Sequence, residues 1–245
     1  MQPELRLEIN QIRHCFQPEM AFRLIVEKMT HKFQGILGLY GLSGSGKTTL
    51  SKILAGIIAP QVGDFKFHCR GSATEIPRIV YSPQFPERIF LGVRVHDTVE
   101  RIVAHRTDGI MLKDRLIDFL KKFGIDYHAI ESRCGFELSG GEVRRLALCL
   151  SLSLGPELLI LDEPTIALGP IGKAQLMTVL HEYLVDRCVI VVSHDFDLIQ
   201  KICWECWILH HGSIIFKGKL SELKTNTEVK KIVGIHLFDN YCIED

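Results

Sequence analysis

Apolar residues recur along this chain with two different periods. Short apolar or alternating runs at 5-LRLEINQI-12, 21-AFRLIV-26, 35-GILGLY-40, 64-DFKFHC-69 and 78-RIVY-81 predict strands. In 50-LSKILAGII-58 the apolar positions Leu50, Ile53, Leu54 and Ile57 fall three and four apart, which predicts a helix. The same spacing makes 95-VHDTVERIVAHR-106 and 111-MLKDRLIDFLKKFG-124 helical, the second closing on a glycine. A further helix starts near Ser139 and runs through 143-VRRLALCLSLSL-154. From 158-LLILD-162 onward, helix and strand alternate through 171-IGKAQLMTVLHEYL-184, 188-CVIVVS-193 and 195-DFDLIQKI-202. The stretch 206-CWILHHGSIIFKG-218 predicts a hairpin, and a polar tail follows over 225–245. Such alternation predicts an α/β fold with a mostly parallel sheet and helices on both faces. An antiparallel β part precedes it, and a helical subdomain at about 85–155 is inserted into a single domain spanning 1–245.

Composition changes this picture little. Hydrophobic residues make up 47% of 245 positions and charged residues 24%, enough to bury a sizeable core. Lys and Arg together number 29, as do Asp and Glu, so no bulk positive field favours a nucleic-acid partner. The opening 1-MQPELRLEIN-10 does not read as a secretory signal. The most apolar region, 146–162, is broken by Gly155, Pro156 and Glu157, short of the roughly 20 residues of a membrane span, and the chain reads as soluble. Eight cysteines lie in apolar surroundings and read as reduced, buried thiols. The pair in 203-CWEC-206, with His210 and His211 nearby, leaves zinc as an alternative, although no second pair accompanies it.

The chemistry begins at 41-GLSGSGKTTL-50. Gly41, Gly46, Lys47 and Thr48 satisfy G-x-x-x-x-G-K-[ST], between a predicted strand and a predicted helix. Glycines let the backbone turn its amides inward, and the helix N-terminus adds partial positive charge. The residues of this cradle are Gly41, Ser43, Gly44, Ser45, Gly46, Lys47, Thr48 and Thr49. Lys47 is placed for the β- and γ-phosphates of a nucleoside triphosphate, and the Thr48 hydroxyl for Mg²⁺. Kinases, GTPases and ATPases share such a loop. A second acidic site narrows the choice: the strand 158–162 delivers Asp162 and Glu163 to its C-terminal edge, Asp162 for the metal and Glu163 to polarise an attacking water.

The remaining pieces resemble the ATP-binding cassette (ABC) superfamily, over residues 5 to about 224. The most specific is 138-LSGGE-142, where Ser139, Gly140 and Gly141 open a helix and form a second anion site. The resemblance implies that this motif closes over the γ-phosphate held by a partner's loop, so that ATP lies between two ATPase subunits. It further implies roles for Gln84 in 81-YSPQFPE-87 at Mg²⁺ or water, for His194 at the γ-phosphate, and for Phe16 as the ring stacked on adenine. Two departures stand out. Glu142 replaces the usual Gln, and Gly169 in 165-TIALGP-170 replaces an Asp that crosses between subunits. A heterodimer with unequal sites is one explanation of the loss at 169, with a homodimer as the alternative.

The segment 82-SPQFPERIFLGVRVHDTVE-100 resembles energy-coupling-factor (ECF) ATPases, which drive vitamin and cobalt or nickel importers. That resemblance implies a separate integral membrane subunit and a peripheral place on the cytoplasmic face of the membrane. Phe85, Pro86, Ile89, Phe90 and Leu91 form an apolar patch that reads as the groove for this partner, or alternatively as the helical part's own core. A soluble, non-transport ABC ATPase, another transporter class and a small-molecule kinase are the competing readings. Only the last leaves 138-LSGGE-142 and His194 without work.

Overall fold

The computed structural model describes residues 4–15, 23–70, 76–90, 92–183 and 187–234. Ten strands form one sheet: β1 (Glu4–His14), β2 (Leu24–Val26), β3 (Met29–Lys32), β4 (Ile36–Tyr40), β5 (Val62–Arg70), β6 (Ile79–Ser82), β7 (Leu158–Asp162), β8 (Cys188–Ser193), β9 (Glu205–His210) and β10 (Ser213–Lys219). Its centre is parallel, in the order β6-β7-β8-β4-β9. β10 returns antiparallel to β9 and passes the sheet to β2 and β1, on which β3 and β5 also pair antiparallel. This is the expected α/β sheet, parallel where crossover helices join the strands and antiparallel toward the N-terminal part.

Side chains alternate across each central strand and divide the core in two. Leu159 and Leu161 of β7, with Val189 and Val191 of β8, join one apolar cluster with the helices of the middle segment. Leu158, Ile160, Ile190 and Val192 join the other, with helix α1 (Lys47–Leu54) and the antiparallel strands. Burial on both faces explains why β7 and β8 read as continuous apolar runs rather than alternating ones.

Between β6 and β7 the chain is helical: α2 (Val95–Ala104), α3 (Gly109–Lys122), α4 (Tyr127–Ile130) and α5 (Gly140–Ser153), with 3-10 turns at Pro86–Phe90 and Gly135–Glu137. α6 (Pro170–Tyr183) and α7 (Phe196–Ile202) follow β7 and β8.

Several boundaries differ from the expected ones. α1 starts at Lys47, inside the glycine loop, and ends at Leu54. Gly56 then takes φ +72°, while its own amide and that of Ile57 bond back to Ile53 and Lys52, so Ile57 leaves the helix and is exposed. β3 has a polar sequence, Met-Thr-His-Lys, and is a strand because β1 offers it an edge. The chain after the hairpin is helical, as α8 (Leu220–Thr225) just before the expected tail and α9 (Thr227–Val233) within it. Leu223, Val229 and Val233 face the core, and the Asn226 side chain caps α9 by accepting from the Val229 amide at 3.0 Å. No helix among the described residues is long and apolar enough to cross a membrane.

Candidate nucleotide site

The loop from Gly41 to Gly46 joins the end of β4 to the start of α1 at the C-terminal edge of the parallel strands. A side chain at 41 would collide with the Leu209 carbonyl and crowd the Ser45 hydroxyl, so only glycine fits there. Gly46 precedes the helix at φ +103°, a conformation that favours glycine, and no side chain caps the first amides of α1. Lys47 is buried, and its ammonium donates to the carbonyls of Gly41 at 2.6 Å and Leu42 at 3.1 Å. It enters no ion pair among the described residues. Burial lowers its pKa from the usual lysine value, against the opposing attraction of Glu163 and Asp162. The Ser45 hydroxyl is buried without a hydrogen-bond partner. Uncapped amides, an unpaired ammonium and an orphaned hydroxyl in one hollow are what an anion with several oxygens would satisfy.

Opposite the loop stands the end of β7. Asp162 accepts from the Thr48 hydroxyl at 3.3 Å through Oδ1 and from the Tyr81 phenol at 2.8 Å through Oδ2. Burial raises its pKa above the ordinary carboxylate value. A hydroxyl and a carboxylate, both hard oxygen donors, fit a small divalent cation such as Mg²⁺.

Glu163 is held at every polar atom. Its amide donates to the Val192 carbonyl at 2.8 Å, and its carbonyl accepts from Arg144 at 3.0 Å. Ser193 Oγ lies 3.2 Å from Oε2, while the backbone amide and Nδ1 of His194 lie 3.0 and 2.7 Å from Oε1. The residue adopts φ +51°, a backbone conformation uncommon outside glycine that these bonds maintain. A carboxylate fixed this way can accept a proton without first reorienting.

Gln84 follows β6. Its carbonyl accepts from the Arg144 guanidinium, and it lines a groove of about 510 Å³ shared with Phe85, Ile89 and Leu150, with Thr48 and Asp162 at one end. Phe85 and Ile89 are exposed, as a groove requires. Phe90 is not: the 3-10 turn carries it fully into the core beside the middle helices, so for that residue the core alternative holds.

Ser139, Gly140 and Gly141 open α5. Ser139 Oγ accepts from the Glu142 amide at 3.2 Å, and Glu142 accepts from the Ser139 amide at 2.8 Å and its hydroxyl at 2.6 Å, a reciprocal cap. Glu142 thus replaces Gln without losing the cap, and these bonds hold its carboxyl below the usual range. No hydrogen bond among the described residues links 139–141 to the Gly41–Thr48 loop.

Phe16 and Leu91 lie outside the described residues. Cys203 and Cys206 are buried, and burial pushes the Cys206 thiol up to about 12. No group of three or more metal-ligating side chains forms among the described residues.

Arg144, Ser193 and Tyr81 were not singled out by the sequence reading. Arg144 is fully buried and ties α5 to Gln84, to Glu87 at 3.0 Å and to Glu163. A charged residue on the face of α5 that also carries Val143, Ala147 and Leu148 was the available signal for it.

The family profile described as ABC transporter matches residues 28–166. The energy-coupling factor transporter ATP-binding protein EcfA2 of Clostridioides difficile is 31% identical over 223 residues, 84% of this chain and 75% of the relative. A protein of the same description from Thermotoga maritima is 34% identical over 188 residues, 74% and 70% of the two chains. Among solved structures, cbiO1 of Clostridium perfringens, described as part of the ABC transporter complex cbiONQ, superposes with a TM-score of 0.71. That match covers 94% of this chain and 95% of the other at 24% identity, a likeness of fold.

Proposed function

The chain belongs to the ABC transporter family of ATPases, and on that footing we propose that it powers an ECF-type importer of a vitamin or metal ion through a separate membrane protein. The loop amides from Gly41 to Thr49, with Ser43, Gly44, Ser45 and Lys47, hold the phosphates of ATP. Thr48, Asp162 and Gln84 would hold magnesium, which would supply positive charge against the phosphates. Glu163 takes a proton from the attacking water, and His194, hydrogen-bonded to it, contacts the γ-phosphate.

A second ATPase subunit completes the site with its own Ser139, Gly140 and Gly141. The observation that carries this reading is where those residues stand: at the open end of α5, with Ser139 and Gly140 exposed and Gly141 half-buried, and with no hydrogen bond among the described residues to their own chain's phosphate loop. Apolar side chains flank the same loops, with Leu42 48%, Phe136 71% and Ile171 77% exposed. Such positions suit an interface that closes on ATP and opens after hydrolysis. The groove beside Gln84 supports docking of a helix from the membrane protein, and the proposed location that goes with such docking is the cytoplasmic membrane face.

Purification of the tagged chain from its own cells in mild detergent tests the transport part. A multi-span membrane protein is expected to come with it, and Ile89→Asp in the groove is expected to release that protein. Recovery of the wild-type chain without any membrane protein would contradict the proposal.

A further inference from the structure

Tyr81 is a buried-side neighbour of the metal end that the reading above leaves without work. Strands β6 and β7 pair with Tyr81 opposite Ile160 and Ser82 opposite Leu161. The period of two then puts Tyr81 and Asp162 on one face of the sheet, the face covered by α1. There the phenol donates to Asp162 Oδ2 at 2.8 Å, a shorter bond than the 3.3 Å one from Thr48 to Oδ1. Ser51 of α1 stands beside the same phenol and donates to the Thr48 carbonyl at 3.0 Å.

A carboxylate free to rotate offers a cation either oxygen in many orientations. One with an oxygen bound to a phenol offers the other in one direction, and partners of this kind tune how tightly a liganding carboxylate holds its ion. We propose that Tyr81 is a positioning residue for the metal: its hydroxyl pins Asp162 Oδ2 and keeps Oδ1 aimed at the Thr48 hydroxyl. The proposal rests on the reading of Thr48 and Asp162 as magnesium ligands. The Tyr81 ring has a separate, structural role in packing against the apolar cluster below α1, and that role needs no hydroxyl.

Tyr81→Phe keeps the ring and removes the hydroxyl, so calorimetric titration of the full chain with ATP, in EDTA and at stepped magnesium concentrations, separates the two roles. The expected result is a magnesium midpoint for strengthened ATP binding raised about 10-fold. ATP affinity in EDTA and the melting temperature without nucleotide are expected to match the parent. Manganese, which oxygen ligands hold more tightly than magnesium, is expected to recover part of the loss. A midpoint equal to the parent's would overturn the proposal, as would equal weakening with and without magnesium, which is the mark of a packing defect. Parental binding that magnesium does not strengthen at all would overturn the magnesium reading, and this proposal with it.

Discussion

Glu163 carries a left-handed backbone conformation that costs on the order of 1–3 kcal/mol, and three neighbouring residues hold it there. The Ile166 amide closes a turn on the Glu163 carbonyl at 3.2 Å, and at the next position Ala167 also has positive φ, so the segment 163–168 bends sharply before α6 and leaves Gly169 exposed. Nothing lies within 4 Å of where a side chain at 169 would begin. The absence of an acid there is therefore not imposed by packing inside the chain. Gly169→Asp is expected to change stability by less than about 0.5 kcal/mol in urea unfolding. If Gly169 weakens the site of a paired subunit, the same substitution raises ATP turnover of the purified homodimer several-fold. Turnover unchanged by it, or already at ordinary rates in the parent, would contradict the idea of unequal sites.

At the scale of elements, α5 is the piece that joins the two proposed anion sites. Its first turn carries Ser139, Gly140 and Gly141, and one turn further Arg144 reaches Gln84 and the back of Glu163. Movement of α5 is thereby mechanically tied to Gln84 and Glu163, the residues proposed for the metal and the water. The guanidinium matters through its fork, which reaches three acceptors that a lysine ammonium on a flexible stem would not hold together. Arg144→Met strips the Gln84 carbonyl and the Glu87 carboxylate of the guanidinium and leaves the Glu163 carbonyl only its bond from the Ile166 amide, and it is expected to destabilise the chain by about 3 kcal/mol. Arg144→Lys is expected to lose nearly as much. Urea midpoints for the two variants check this, and a lysine variant as stable as the parent would show that charge alone suffices.

Across the whole molecule, what the sequence made legible was local. The phosphate loop, Asp162 and Glu163 stand in short contiguous patterns whose spacing carries the chemistry, and the strands around them are apolar on both faces. Contacts between distant segments were not legible. Arg144 meets Gln84 across 60 positions and Tyr81 meets Asp162 across 81, and no pattern within either segment signals the pairing. β3 likewise depends on an edge that β1 supplies, and α8 and α9 depend on three apolar residues hidden in a polar stretch. Ile57 continued a helical period that Gly56 had already ended, because periodicity does not register a left-handed stop. The proposed second anion site illustrates the same limit at a larger scale, since in that proposal its partner loop belongs to another molecule.

The central claim is that ATP is held between the Lys47 loop of one subunit and the Ser139 turn of another. It is tested most directly by mixing two damaged copies. Lys47→Ala and Ser139→Arg, each carried on Glu163→Gln to stop hydrolysis, are passed separately and together through gel filtration with magnesium and ATP. The account predicts that each alone runs at the 27.8 kDa chain mass, while the mixture yields a species of twice that mass retaining ATP, because the pair contains one intact seam. Stable ATP retention by the Ser139→Arg copy alone at monomer mass, with no new species in the mixture, would contradict it.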